Sequence, residues 1–180
     1  MMWYRTREID KRAAVLRDDL EPVITGLGFA LVELDVYRGK RAAAQVRVVV
    51  TRPPPGEWPE TAGPPGGKIP AGSGIGTEEL AALHRAILPR LELVLGEARE
   101  GAGVYVEVSS PGTDRVIKEG AEFRHFTGRG VLCYISGESA WKAGVLRGSD
   151  PEKILLETGE GLLELPYGAI GKAKLDDRRV

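Results

Sequence analysis

The chain has 180 residues, 42% of them hydrophobic and 28% charged, with a formal net charge of −1, which is enough for one domain of ordinary size or two small ones. Positions 1 to 110 hold 14 basic and 15 acidic side chains and positions 111 to 180 hold 11 of each, so neither half binds polyanions by bulk charge and nucleic acid is left only a local patch. The single Cys133, inside the apolar run Val131-Leu132-Cys133-Tyr134-Ile135, excludes an internal disulfide and a cysteine-rich zinc site, and points to core packing in a reducing compartment.

The opening Met1-Met2-Trp3-Tyr4-Arg5 runs into a charged amphipathic segment without the apolar core of a signal peptide, and no stretch approaches membrane-spanning length; a cytoplasmic protein is expected. From Ile9 to Leu27, apolar residues at Ile9, Ala13, Leu16, Leu20, Val23, Ile24 and Leu27 predict a helix, with Pro22 dividing or kinking it near Asp19 and Gly26 and Gly28 stopping it. Phe29 to Tyr37 reads as a strand in which Glu33 and Asp35 share a face with Leu31. Arg38-Gly39-Lys40-Arg41 then joins it to a second strand, Gln45 to Val50, as a hairpin with a basic tip. Arg38, Lys40 and Arg41 are candidates for contact with phosphate or an acidic protein, against the plainer role of keeping an exposed turn soluble.

Between Pro53 and Gly76 seven prolines and seven glycines fill 24 positions, a composition unable to bury enough apolar surface to fold alone. Gly72-Ser73-Gly74-Ile75-Gly76 looks like a phosphate-cradling turn but follows no strand and has no acidic ribose partner. Thr77 as N-cap, Glu78 and Glu79 in the first turn, and a buried face of Leu80, Leu83, Ile87, Leu91 and Val94 predict a second helix, kinked or broken at Pro89. His84 and His125 have no second ligand at metal spacing, so no metal or other cofactor is expected.

Val104-Tyr105-Val106-Glu107-Val108 is an alternating strand that runs into Ser109-Ser110-Pro111-Gly112-Thr113-Asp114-Arg115. Here Pro111 and Gly112 suit the second and third positions of a tight turn, and Asp114 beside Arg115 suits an ion pair. These residues mark a junction between two differently built halves, with Ser109, Ser110, Pro111 and Gly112 as hinge and Asp114 and Arg115 locking the turn or touching a partner. Beyond it, Glu122 to Phe126 looks like one helical turn. Five short strands follow, at 130–136, 141–146, 153–157, 161–165 and 171–175, with one turn at Pro166-Tyr167-Gly168-Ala169-Ile170. Five strands in about fifty residues suit a small barrel, whose closure removes aggregating edges.

The order helix, strand, basic hairpin, strand, helix, then Glu107 to Arg115, then Phe123-Arg124-His125-Phe126-Thr127-Gly128 before a barrel, resembles the bacterial ribosome maturation factor RimP family over nearly the whole chain. Leu20-Glu21-Pro22-Val23, Gly26 to Val32, and Leu162-Leu163-Glu164-Leu165-Pro166-Tyr167 with Lys172-Ala173-Lys174-Leu175 carry the resemblance too, and Ser-Ser-Pro-Gly-x-Asp-Arg is its most specific element. Two departures stand out: the family continues Asp-Arg-Pro-Leu where this chain has Val116-Ile117, and the Pro- and Gly-rich tract is an insertion. The resemblance implies an α+β protein: an N-terminal KH-like two-layer α/β domain over 1–110, interrupted by the insertion at 53–76, and a C-terminal SH3/Sm-like β-barrel over 111–180. It implies a non-catalytic assembly factor that binds the free small ribosomal subunit and engages ribosomal protein S12; the basic hairpin tip adds an expected contact with small-subunit ribosomal RNA, and a monomer is the default. The alternative is an autonomous RNA-binding module, which usually needs aromatics on a sheet or a Gly-x-x-Gly clamp between helices. A hydrolytic triad drawn from Ser109, Ser110, His84, His125, Asp114 and Cys133 lacks any local context to assemble it.

Overall fold

A computed structural model of the protein describes residues 11–38, 44–54, 74–96 and 103–177. The chain divides into two compact units, with the change between Pro111 and Gly112. Helix α1, Lys11–Gly26, and strand β1, Ala30–Arg38, are followed by β2, Ala44–Thr51, then helix α2, Thr77–Gly96, and β3, Val104–Ser109. β1 and β2 form the expected antiparallel hairpin, and α2 is the crossover that returns β3 parallel to β2, giving the order β1-β2-β3.

Leu16, Leu20 and Ile24 of α1 and Leu83, Ile87, Leu91 and Leu95 of α2 pack with Val46, Val48 and Val50 of β2 in one core. Three expectations change in detail. Pro22 and Pro89 both lie inside continuous helices, so neither helix breaks. The buried stripe of α2 keeps its spacing of four past Pro89, which turns Leu95 inward and leaves Val94 exposed. In β1 a bulge between Leu31 and Glu33 resets the alternation: Leu31, Leu34 and Val36 now share the core side, and Glu33 and Asp35 are on the other.

The stop after α1 is a Schellman motif. Gly28 takes φ 83°, its N–H donates to the Thr25 carbonyl at 2.9 Å, and the Phe29 N–H donates to Ile24 at 3.1 Å. The start of α2 is half of a capping box: the Gly76 N–H donates to Glu79 Oε2 at 2.9 Å. Arg52, one residue past β2, gives Nη2 to both oxygens of the same carboxylate at 2.8 and 2.7 Å, with its guanidinium 5.2 Å from the centroid of the Phe29 ring. The Arg52 hydrogen bond first, then the Gly76 N–H, hold the Glu79 carboxyl below its ordinary value of 4.5.

In the second unit, β4, Val116–Ile117, leads to a 3-10 turn at Gly120–Phe126, then β5, Gly130–Ile135, β6, Ala140–Ser149, β7, Lys153–Thr158, and β8, Gly161–Pro166. A second 3-10 turn, Tyr167–Ala169, precedes β9, Ile170–Leu175. The sheet is antiparallel, in the order β4-β9-β5-β6-β7-β8. The five expected strands and both turns are present, and β4 adds a short sixth. Phe123, Phe126, Ile117, Leu146, Ile154, Leu156 and Leu175 are buried. Cys133 is fully buried among them, and desolvation pushes its thiol up to about 12, so it behaves as a small hydrophobe. At Gly144 a Cβ would stand 2.3 Å from the Glu157 carbonyl oxygen; only glycine lets β7 come this close.

Tyr167 ties this unit together. Its hydroxyl donates to the Asp150 carbonyl at 2.9 Å and the Gly120 carbonyl at 3.3 Å. Its ring lies 5.8 Å from that of Phe123 and 3.2 Å from where a Gly120 side chain would begin. Asp150 shapes the β6–β7 connection by accepting the N–H groups of Glu152 and Lys153, both at 2.8 Å, and those two bonds, in that order, lower its pKa.

Candidate functional site

The residues singled out at the junction do not form one cluster. Ser109 ends β3, Ser110 is exposed, and Pro111 and Gly112 lead into a turn that the Arg115 N–H closes on the Gly112 carbonyl at 3.2 Å. Its central residues are Thr113 and Asp114, so the turn sits two residues later than Pro111 and Gly112 suggested. Gly112 is not among the glycines with positive φ. The turn therefore uses ordinary backbone angles that Thr and Asp adopt without strain.

Arg115 is the anchor of this segment. Its Nη2 donates to Glu122 Oε2 at 3.0 Å and its Nε reaches the same oxygen at 3.4 Å. The two side chains keep only 10% and 11% of their exposure. Its carbonyl accepts the Leu175 N–H at 2.9 Å at the end of β9. The ion pair expected between the neighbours Asp114 and Arg115 gives way to one that spans seven residues and joins the turn to the first 3-10 turn. The physical reason is desolvation: a guanidinium this buried needs a carboxylate at hydrogen-bond distance inside the fold, and Asp114 is exposed. Glu122 was missed in the sequence because a lone Glu in a polar-looking stretch carries no period.

Of the hairpin cations, Arg38 closes β1 opposite Ala44, while Lys40 and Arg41 lie outside the described residues. The face of the N-terminal sheet away from the helices is more informative. In register across the three strands stand Tyr37, Gln45 and Tyr105, and beside them Asp35, Arg47 and Glu107. The tyrosines are 56% and 66% exposed. Tyr37 donates its hydroxyl to Asp35 Oδ2 at 3.2 Å, and Arg47 Nε lies 3.8 Å from Glu107 Oε1. Aromatic residues on a sheet can stack bases, but here each tyrosine has a carboxylate two positions along its own strand, an unfavourable neighbour for phosphate. Among the described residues no group of three or more His, Cys, Asp and Glu could hold a metal ion, and no helix is long and apolar enough to cross a membrane.

Comparison with known proteins reaches along nearly the whole chain. No family model matches it. The Ribosome maturation factor RimP of Borrelia turicatae (strain 91E135) is 24% identical over 156 residues, covering 87% of this chain and 90% of the relative. That of Borrelia hermsii (strain HS1 / DAH) is also 24% identical over the same lengths, and that of Borrelia recurrentis (strain A1) is 23% identical over 158 residues, 88% of this chain and 92% of the relative. The matches span both compact units and the junction between them, so along both units the chain is similar to proteins named Ribosome maturation factor RimP.

Proposed function

We propose that this chain is a non-catalytic assembly factor that binds the free small ribosomal subunit and supports its maturation in the cytoplasm. The observation that carries the reading is the agreement over 87% of the chain with proteins named Ribosome maturation factor RimP. In this reading 1–110 and 111–180 are two domains that act as one monomeric factor, the first KH-like. The six-stranded sheet of the second closes as an SH3/Sm-like barrel, a reading supported by the close approach of β7 to β6 that Gly144 permits. The barrel engages ribosomal protein S12, and the hairpin cations Arg38, Lys40 and Arg41 approach immature ribosomal RNA as phosphate contacts, which position without reading sequence.

Of the two roles open to Arg115, locking the turn fits its surroundings better than touching a partner. Committed to Glu122 and mostly buried, it positions the turn, and Asp114 is the exposed member that a partner could meet. The test is co-sedimentation of the purified protein with free small subunits, large subunits and whole ribosomes at two salt concentrations. Selective, salt-sensitive migration with small subunits is expected, and migration with none of the three overturns the reading. Replacing Arg38, Lys40 and Arg41 with Ala is expected to weaken association and flatten its salt dependence.

A further inference from the structure

The outward face of the C-terminal sheet carries two adjacent rows of side chains that core packing does not explain. In the first, Lys172 of β9, Tyr134 of β5 and Trp141 of β6 stand side by side in register. In the second, two residues along each strand, stand Val116 of β4, Lys174, Leu132 and Ala143. Neighbouring strands lie about 4.8 Å apart, so the rows form one contiguous strip of cation, aromatic and aliphatic surface. Trp141 is 47% exposed and Lys172 is exposed.

The Tyr134 and Trp141 rings are 5.3 Å apart and inclined at 60°, the tilted geometry aromatic pairs prefer. A second support holds Tyr134 from its other side. Gly171 is the bulge residue of β9, passed over where Tyr134 pairs with Lys172 and Ile135 with Ile170. A Cβ there would stand 3.2 Å from the Tyr134 ring and 2.6 Å from Ser136 Oγ. The tyrosine is thus wedged between backbone and indole, and it props the exposed indole as a fixed platform.

The two rows contain no carboxylate. Acids flank the rows: Glu138 is closed on Lys142 at 2.9 Å, Asp176 lies one residue past the end of β9, and Glu157, opposite Val145 one row further along the face, is held by Arg147. A fixed, exposed indole beside two lysines is complementary to one kind of ligand above others: a chain that carries flat rings and a negative charge at every repeat.

We propose that the Lys172–Tyr134–Trp141 row, with Lys174 beside it, binds single-stranded RNA, a base stacking on Trp141 while the lysines meet the flanking phosphates. The binding chemistry stands on these residues alone; only the identity of the RNA as ribosomal rests on the assembly-factor reading. The test uses the full chain and a fluorescently labelled twelve-nucleotide oligouridylate, read by anisotropy across a salt series. The parent protein is expected to bind. Trp141→Ala is expected to weaken binding about tenfold and leave the salt slope unchanged. Lys172→Ala with Lys174→Ala is expected to weaken it and lower the slope by about 1.4, at about 0.7 for each phosphate contact on a single strand. Lys172→Glu with Lys174→Glu, at exposed or half-buried sites that leave the core intact, is expected to abolish it.

Absence of binding by the parent at low salt, or parent-like binding by all three variants, overturns the proposal. So does capture of a polyglutamate peptide in place of the oligonucleotide, which would make the strip an acidic-protein site. Gradient sedimentation with ribosomal subunits keeps the two failures apart. A parent that sediments with small subunits yet ignores the oligonucleotide loses this inference alone. One that binds the oligonucleotide through these residues and joins no subunit loses the assembly-factor reading alone.

Discussion

Both sheets of this protein expose aromatic residues on strands, but they set them in opposite surroundings. On the N-terminal sheet Tyr37 and Tyr105 flank Gln45 and sit beside Asp35 and Glu107; on the C-terminal sheet Tyr134 and Trp141 sit beside Lys172 and Lys174. The packing differs as well. The first sheet is stabilised by two amphipathic helices laid on one face, and the stretch of its other face that carries Tyr37, Gln45, Arg47, Tyr105 and Glu107 is exposed, so substitutions there leave that core intact. The second unit has only 3-10 turns among its described residues besides its strands, and is held by a sheet core and by Tyr167 and Arg115 bridging to backbone and acid. An exposed aromatic is therefore weak information by itself; the charge in the adjacent row determines which ligands it suits.

The largest expected effect tests whether the two units are stabilised separately. Phe123 is fully buried and touches the Tyr167 ring, so Phe123→Ala should cost about 4 kcal/mol. Segment-resolved hydrogen exchange should show that loss over β4 to β9 and leave α1, α2 and β1 to β3 at parent protection. Equal loss in both units would mean one cooperative structure. Next in size is Arg115→Ala, which takes the guanidinium away from the buried Glu122 carboxylate and should cost about 3 kcal/mol. Because the pair lies wholly within the second unit, thermal unfolding followed by Trp141 fluorescence, with Trp3 and Trp58 replaced by Phe, should report it. Arg115→Ala with Glu122→Gln should recover part of the loss, whereas a pair contributing nothing would leave all variants at the parent midpoint.

Much of the fold was legible in the chain because most of its elements obey simple periods. Leu16, Leu20 and Ile24, and later Leu83, Ile87 and Leu91, repeat every four residues, and the strands are bracketed by Gly, Ser and Asp. What failed was non-local. The bulge in β1 cannot be seen without its partner strand, and plain alternation puts Glu33 and Asp35 on the Leu31 face. The local cost of proline predicts a kink or a division at Pro22 and Pro89; the division does not occur, because packing carries α1 and α2 through both. Of the candidate site, the Ser-Ser-Pro-Gly string was visible, but Glu122 as the partner of Arg115 was not, since nothing in a sequence of adjacent Asp and Arg signals which one will be buried. The strip of Lys172, Tyr134 and Trp141 is likewise invisible without the register, because its members are up to 38 positions apart in the chain.

A smaller effect separates the units by pH. Glu79 has its pKa lowered by Arg52 and the Gly76 N–H. A carboxyl depressed in the folded state contributes stability above its ordinary value of 4.5, and that contribution is lost as pH falls below 4.5 and through the folded value. Arg52→Ala should therefore cost the N-terminal unit about 1 kcal/mol at neutral pH, a figure held down by the partial exposure of both groups. The difference from parent should shrink as pH falls below 4.5, measured as urea midpoints between pH 3 and pH 7. A difference that stays constant over that range would assign the effect to lost packing of the guanidinium on Phe29.

The smallest expected effect bears directly on the two aromatic faces. Asp35→Asn with Glu107→Gln removes the carboxylates beside Tyr37 and Tyr105, at a stability cost within about 0.5 kcal/mol because the pairs are exposed. A phosphate about 8 Å from each carboxylate feels roughly 0.5 kcal/mol of repulsion in water before screening, and about half of that at 0.1 M salt. Together the two substitutions should therefore raise oligouridylate affinity no more than about threefold, measured by anisotropy in a Lys172→Glu, Lys174→Glu background that silences the other sheet. A gain of that size would show that removing repulsion is a minor lever, and that what the N-terminal face lacks is a cation beside its rings. Gln45→Lys, placed between the two tyrosines, should then add more than both neutralisations combined. Tenfold or greater binding from the neutralisations alone would break the contrast between the sheets, because it would mean that spaced tyrosines suffice and that only the acids keep RNA from the first face.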